Sequence, residues 1–253
     1  MNTKIKKLSS ILFSAILLLE LFSCATTKNF KEDSEGNFSK LDYQIFTISL
    51  KDPDLKIITN PKKEGFTTAT SVKAFAQKKG CFAAINANPF ITERKNPFSK
   101  VKPAGIYKDE NKIYSESSKK YACIAFFREE EGFKAQIFKS QDDALYGKAE
   151  IVLGGFWQIL DGEKIYSFKD VKDFRSAAGL SRDGKTLYLF SGKKLSYMQC
   201  AEILKARGAY SAMQFDGGTS SAVYYEGKIF PKMIIRKKVS TILGFSNNKK
   251  SAL

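Results

Sequence analysis

Gln214-Phe215-Asp216-Gly217-Gly218-Thr219-Ser220-Ser221 places a carboxylate, two glycines and three hydroxyls in one unbroken run. Apolar stretches flank it over 210–215 and 222–225, and both read as buried strands. Gly217 and Gly218 allow positive φ and close approach of a ligand. Successive N–H groups in such a turn line a concavity suited to an anion. Thr219, Ser220 and Ser221 add hydroxyl donors, and Asp216 sets one negative charge at the rim. An anion cradle beside a carboxylate suits a substrate that is both phosphorylated and hydrolysed. The competing reading is a plain Asp-Gly hairpin turn with a solvated carboxylate.

Strand patterns dominate outward from this turn. Residues 43–50 alternate polar and apolar, with 56–59 as the expected hairpin partner. Further strands are expected over 81–87, 106–113 (a hairpin), 121–128 paired with 132–138, and 242–245. Residues 151–160 read as one strand, in which Gly154 and Gly155 mark a bulge or a close backbone approach. Arg182-Asp183-Gly184-Lys185 joins 177–180 to 186–190 as a hairpin. Two helices are expected. Over 70–79, Thr70 or Ser71 caps, Val72, Phe75 and Ala76 line one face, and Gly80 stops the helix. Over 195–207, Ser196 and Gln199 form a capping box, Met198, Ala201, Ile203 and Leu204 build the apolar face, and Gly208 ends it. The class is therefore α+β: a single domain over 41–246 of mixed, hairpin-rich β-sheet with a few packed helices.

The N-terminus reads as an export signal. Lys4, Lys6 and Lys7 precede an apolar core over 11–22, broken only by Ser14 and Glu20. That core is shorter than the ~20 residues a spanning helix needs. Leu21-Phe22-Ser23-Cys24 fits a lipobox, which makes 1–23 a lipoprotein signal peptide and Cys24 the lipidated residue. Residues 24–40 are polar and read as a flexible tether, and 247–253 as a polar tail. The expected location is the cell envelope, with the protein anchored to a membrane through Cys24 and facing the periplasm or the cell surface.

The formal charge is +16; removing 1–23 takes away three lysines and one glutamate and leaves +14. The lysines are scattered, Arg236-Lys237-Lys238 is the tightest cluster, and no nucleic-acid motif spacing appears. Anionic lipid headgroups or anionic polysaccharide are the expected partners, and nucleic acid is not. Cys81, Cys123 and Cys200 read as buried small hydrophobes. The chain has no histidine, which excludes the usual Ser-His-Asp and Cys-His sites and removes the commonest zinc ligand. Acid–base work falls to Asp, Glu, Lys or Tyr. No cofactor or metal is expected. Asp216 with Asn86 and Asn88 could hold a calcium-like ion, the less favoured reading. Glu202, Glu93 and Asp161 are alternative carboxylates; Glu202 reads as structural and the other two as solvated loop charges.

Four segments are candidates to converge: Asn86-Ala87-Asn88 at a strand end, Gly154-Gly155, Arg175-Ser176-Ala177-Ala178-Gly179, and the Asp216 turn. Their order resembles the phosphodiester glycosidase family over roughly 41–246. The block from Phe174 through Asp183-Gly184, Ala201-Glu202-Ile203-Leu204 and Gly208-Ala209 to Asp216–Ser221 carries most of the likeness. Weaker matches are Pro89-Phe90 after the asparagines, Pro103-Ala104-Gly105, Asp161-Gly162, Gly227-Lys228, Arg236 and 242–245. Pro89, Gln214 and Thr219 depart from the family's usual residues. The resemblance implies hydrolysis of a sugar-1-phosphodiester, with a phosphorylated glycan or sugar phosphodiester as the partner. On that reading Asp216 is the catalytic carboxylate and Arg175 grips the phosphate through a bidentate fork. Asn86, Asn88, Gly155, Gly217, Gly218, Thr219, Ser220 and Ser221 bind substrate, and Asn86 bonds a sugar hydroxyl or Asp216 itself. The alternative function is a non-catalytic envelope lipoprotein that binds anionic glycans in the same cleft.

Overall fold

A computed structural model describes residue 38 and residues 40–93, 100–110, 112–142, 146–169 and 171–247. The expected signal peptide, Cys24, nearly all of the expected tether and the tail beyond 247 lie outside the described residues.

Four sheets account for most of the described chain. A six-stranded sheet runs in the order Asp42–Ser49, Thr186–Leu195, Asp173–Leu180, Ser211–Gln214, Gln158–Asp161, Lys164–Ile165. One five-stranded sheet runs Lys228–Phe230, Val223–Tyr225, Ala83–Asn86, Ile242–Ser246, Lys56–Asn60. The other runs Phe133–Phe138, Cys123–Arg128, Ile151–Gly154, Tyr107–Asp109, Lys112–Ser115. A small three-stranded sheet holds Thr67–Thr68, Lys100–Pro103 and Phe90–Glu93.

The inner faces of the three larger sheets meet in one core. Phe46, Ile48 and Leu189 from the first, Ile85 and Leu243 from the second, and Ile124, Phe126 and Leu153 from the third are all buried there. Phe46 stacks on Tyr225 with ring centroids 4.5 Å apart, locking two sheets together. Each helix covers an outer face. Tyr197–Ala206 buries Cys200, Ala201, Ile203 and Leu204 against Ile159, Ala177 and Phe190. Val72–Lys79 packs Phe75 and Ala76 near Cys81 and Ala84. Gly244 lets that helix approach, because a β-carbon there would lie 2.8 Å from both Cys81 Sγ and the Phe75 ring. Burial pushes the Cys123 and Cys200 thiols up to about 12, so both stay protonated and inert near neutrality.

Several expectations need correction. The fold is mostly β, with two α-helices among the described residues, and every strand pairing described is antiparallel rather than mixed. Parallel pairing needs long crossovers, and two short helices cannot supply many. The strand Asp42–Ser49 pairs with Thr186–Leu195, and Lys56–Asn60 pairs with Ile242–Ser246, so these two do not form a hairpin. The 151–160 segment is two strands in different sheets. The chain changes sheet at Gly155, where a β-carbon would lie 2.3 Å from the Gln214 carbonyl oxygen.

Candidate functional site

The Asp216 turn is not a hairpin. Ser211–Gln214 lies in the six-stranded sheet and Val223–Tyr225 in a five-stranded one, so 215–222 is the bridge between two sheets. Its centre is a single 3-10 turn over Gly218–Ser220. Gly218 takes φ +59°, while Gly217 is extended at φ −111°. Only Gly218 therefore needs glycine for its backbone angle. Gly217 needs it for space: a β-carbon would sit 3.1 Å from the Phe174 carbonyl oxygen and 3.8 Å from Arg175 Nη1.

That second distance joins the two residues on which the sequence argument turned. The strand Asp173–Leu180 pairs with Ser211–Gln214, and the Phe215 N–H donates to the Ser176 carbonyl at 2.9 Å. Arg175 and the glycine turn thus meet at the same end of adjacent strands. Arg175 is 6% exposed. Its guanidinium lies over the Tyr197 ring, 4.1 Å from the centroid. Nε donates to the Leu195 carbonyl at 2.9 Å and Nη2 to the Val171 carbonyl. The bidentate fork expected from sequence is therefore partly engaged by backbone, and Nη1 is the nitrogen turned toward Gly217. No carboxylate among the described residues forms an ion pair with this buried cation.

Asp216 is half-buried. Desolvation raises its carboxyl to about 6, against the lowering effects of a Ser220 hydroxyl bond, the Gly217 N–H and the Lys237 charge. The Gly217 N–H donates to its Oδ1 at 3.1 Å. Near neutral pH the group is mostly ionised, yet far more basic than an ordinary aspartate.

Asn86 and Asn88 were expected to meet substrate, and both are buried instead, at 0% and 1% exposed. Asn86 staples the bridge at both ends. Its Nδ2 donates to the Asp216 backbone carbonyl at 2.7 Å, and its Oδ1 accepts from the Ala222 N–H at 2.9 Å. It bonds the backbone of Asp216, not the carboxylate. Asn88 donates through Nδ2 to the Ile106 carbonyl at 2.8 Å and accepts from the Thr241 hydroxyl at 3.1 Å. Neither amide oxygen is turned to a cation at Asp216, so the calcium-like alternative loses two of its three ligands. Gly155 is likewise structural, since its N–H donates to the Ala122 carbonyl at 3.0 Å. The three hydroxyls diverge: Thr219 is exposed, Ser220 reaches Asp216, and Ser221 is fully buried. Among the alternative carboxylates, Asp161 is exposed and Glu93 and Glu202 are half-buried.

Sequence reasoning did not single out two contributors. Lys237 reaches the site because its N–H donates to the Thr219 carbonyl at 2.9 Å. Tyr197 belongs to a chain of ring contacts running through Phe168 and Trp157 to Tyr121. Its position one residue after the helix cap Ser196 was the available signal.

A family model described as phosphodiester glycosidase matches residues 79–246. The chain belongs to the phosphodiester glycosidase family. Solved structures agree on the fold. The zebrafish N-acetylglucosamine-1-phosphodiester alpha-N-acetylglucosaminidase catalytic domain, auto-inhibited by its pro-peptide, matches with a TM-score of 0.61 at 17% identity, covering 88% of this chain and 87% of that one. A hypothetical protein from Synechocystis matches with a TM-score of 0.62 at 15% identity, covering 83% of this chain and 60% of that one. A protein of Burkholderia pseudomallei described as exported matches with a TM-score of 0.65 at 10% identity, covering 80% of this chain and 73% of that one. No curated protein matches by sequence. Family membership supports a hydrolase-type function.

Proposed function

We propose that this protein hydrolyses a sugar-1-phosphodiester in envelope or exopolysaccharide material, with Asp216 as the catalytic carboxylate and Arg175 steadying the phosphate. One observation carries the reading. A buried guanidinium with no ion-paired carboxylate among the described residues lies against the same glycine turn that holds a desolvated carboxylate. Burying an unpaired charge is costly, and an anionic ligand would complete the site.

The chemistry suits a site without histidine in which Asp216 is the desolvated carboxylate; the other carboxylate at the turn, Asp173, whose Oδ2 would lie 3.5 Å from a β-carbon at Gly218, is exposed. Water attacks the anomeric carbon, the bond from that carbon to the phosphate oxygen breaks, and the phosphomonoester leaves with the electron pair. Asp216 takes the water proton or stabilises the oxocarbenium-like state. The departing phosphomonoester has a second pKa of about 6, so it needs little help from a general acid. An ordinary glycosidase needs a second carboxylic acid for its sugar leaving group. The half-exposed Trp157, beside Tyr121 and Phe168, offers an aromatic face where the sugar ring could rest.

The test is turnover of a panel of sugar-1-phosphodiesters by the purified full chain. Wild type should release sugar and phosphomonoester, whereas Asp216→Asn and Arg175→Ala should not. Equal turnover by either variant would remove that residue from the mechanism. The second reading, a module that binds anionic glycans without cleaving them, draws support from the backbone bonds that already hold most of Arg175. It predicts binding that survives Asp216→Asn and no turnover by any form.

A further inference from the structure

The two most exposed large apolar residues described are neighbours, Ile234 at 104% and Ile235 at 75%. They form the tip of the loop between the strand Lys228–Phe230 and Val239. Other exposed aliphatic residues, such as Ile91 at 58% and Ile113 at 47%, stand on separate elements. Single exposed apolar residues need no explanation, but an adjacent β-branched pair held fully in water does.

The tip is held firmly from below. Arg236 donates through Nη1 to the Ser221 carbonyl and through Nη2 to the Pro231 carbonyl, closing the loop's neck. The Lys237 N–H bonds the Thr219 carbonyl at 2.9 Å, and Val239 exchanges two backbone bonds with Thr70, each 2.9 Å. Lys232, Lys237 and Lys238 flank the isoleucines in sequence, all exposed and none ion-paired with a described carboxylate.

We infer that the 231–238 loop is a membrane-docking wedge that seats Ile234 and Ile235 in the interface of an anionic lipid surface. An apolar tip flanked along the chain by cations matches such a surface in both layers: side chains at the acyl boundary, ammonium groups among the lipid phosphates. A protein partner fits less well, because a stable interface buries about 800 Å² per side and the tip offers two adjacent exposed isoleucines. The wedge is bonded to the turn that carries Asp216, so docking would hold the site against the lipid surface. Insertion itself does not depend on the hydrolase reading, and its test measures no turnover.

The full chain carrying Ile234→Trp is added to vesicles of phosphatidylcholine with or without phosphatidylglycerol, containing brominated lipid as a quencher. The Trp157 signal of the unsubstituted chain is subtracted. Ile113→Trp, on the edge of a five-stranded sheet, is the control. The Ile234→Trp emission should shift to the blue and fall by roughly half on anionic vesicles, as for a group 5–10 Å inside the boundary. It should recover in 1 M salt, where screening shortens to about 3 Å, and should not shift on neutral vesicles. Water-like emission on anionic vesicles would overturn the inference. So would equal quenching at Ile113→Trp, which would mean that the rest of the chain merely brings the domain near lipid. A blue shift that follows protein concentration without vesicles would assign the tip to self-association and overturn it as well.

Discussion

Two carboxylates at strand ends, Asp109 and Asp216, differ in what each is given for losing water. Asp109 is 2% exposed, with a Thr59 hydroxyl donating to Oδ2 and the Lys62 ammonium 3.3 Å away. The Thr59 oxygen in turn bonds the Tyr107 hydroxyl at 2.7 Å. Asp216 receives an N–H and a hydroxyl, feels the Lys237 charge without an ion pair among the described residues, and is half-buried. A buried acid with its own cation is a completed structural unit. A desolvated acid with neutral donors and no paired cation is held nearer to its protonated form, and that is the condition of a group available for chemistry.

The largest expected effect separates the two in function. Asp216→Asn should lower turnover by about 10³-fold, within the usual range for losing a positioned acid–base group. Asp109→Asn should leave it within a few-fold of wild type. Steady-state rates for both, on whichever phosphodiester the panel identifies, check this. Equal losses would erase the distinction.

Stability should reverse the order. The Asp216 carboxyl has a folded-state value of about 6 against 3.8 in the reference state. Its neutral form is the one the fold favours. Its contribution is thus fully present below pH 4 and is lost as pH rises through 6. Asp216→Asn removes that penalty and should stabilise the protein at pH 7 by about 1–3 kcal/mol, allowing for partial exposure of the site. Asp109→Asn takes the carboxylate from Lys62 and weakens the bond from Thr59, at a cost of about 1–3 kcal/mol. Urea midpoints at pH 7 should therefore move in opposite directions for the two variants.

The third expectation concerns pH alone. If ionised Asp216 is the working form, kcat/KM rises through about pH 6 and levels above it. A fall above pH 6 would make Asp216 a proton donor instead.

Much of this was legible in the chain. The helix caps at Ser71 and Ser196 were readable because caps depend on side chains within one turn. The Asp183-Gly184 hairpin was readable for the same local reason. Strand partners such as Lys56–Asn60 with Ile242–Ser246 were not, because pairing across nearly the whole chain leaves no local mark. At the site, residue types were legible and their directions were not. Asparagine at a strand end serves a ligand or a staple equally well, and only the backbone of Asp216 and Ala222 decides for Asn86. Arg175 lies beside the glycine turn, but a cap or strand pattern does not say where its carbonyls point, so the occupation of the Arg175 fork by the carbonyls of Val171 and Leu195 left no mark in the sequence.

The smallest expected effect sharpens the contrast from within the site. The Ser220 hydroxyl bonds the charged form of Asp216 and so opposes the desolvation that raises it. Ser220→Ala leaves the turn's backbone intact and should push the carboxyl further up. Near pH 6 a larger share of the protein would then be protonated, and kcat/KM should fall by about two- to fourfold, as one lost hydrogen bond of modest strength implies. At pH 8 the carboxyl is ionised with or without the hydroxyl, so the variant should match wild type there. That recovery distinguishes a residue acting through Asp216 from one that touches substrate. If Ser220 instead held the phosphate, its removal would cost the same at pH 8 as at pH 6, and Asp216 would owe its poise to desolvation and the Gly217 N–H alone.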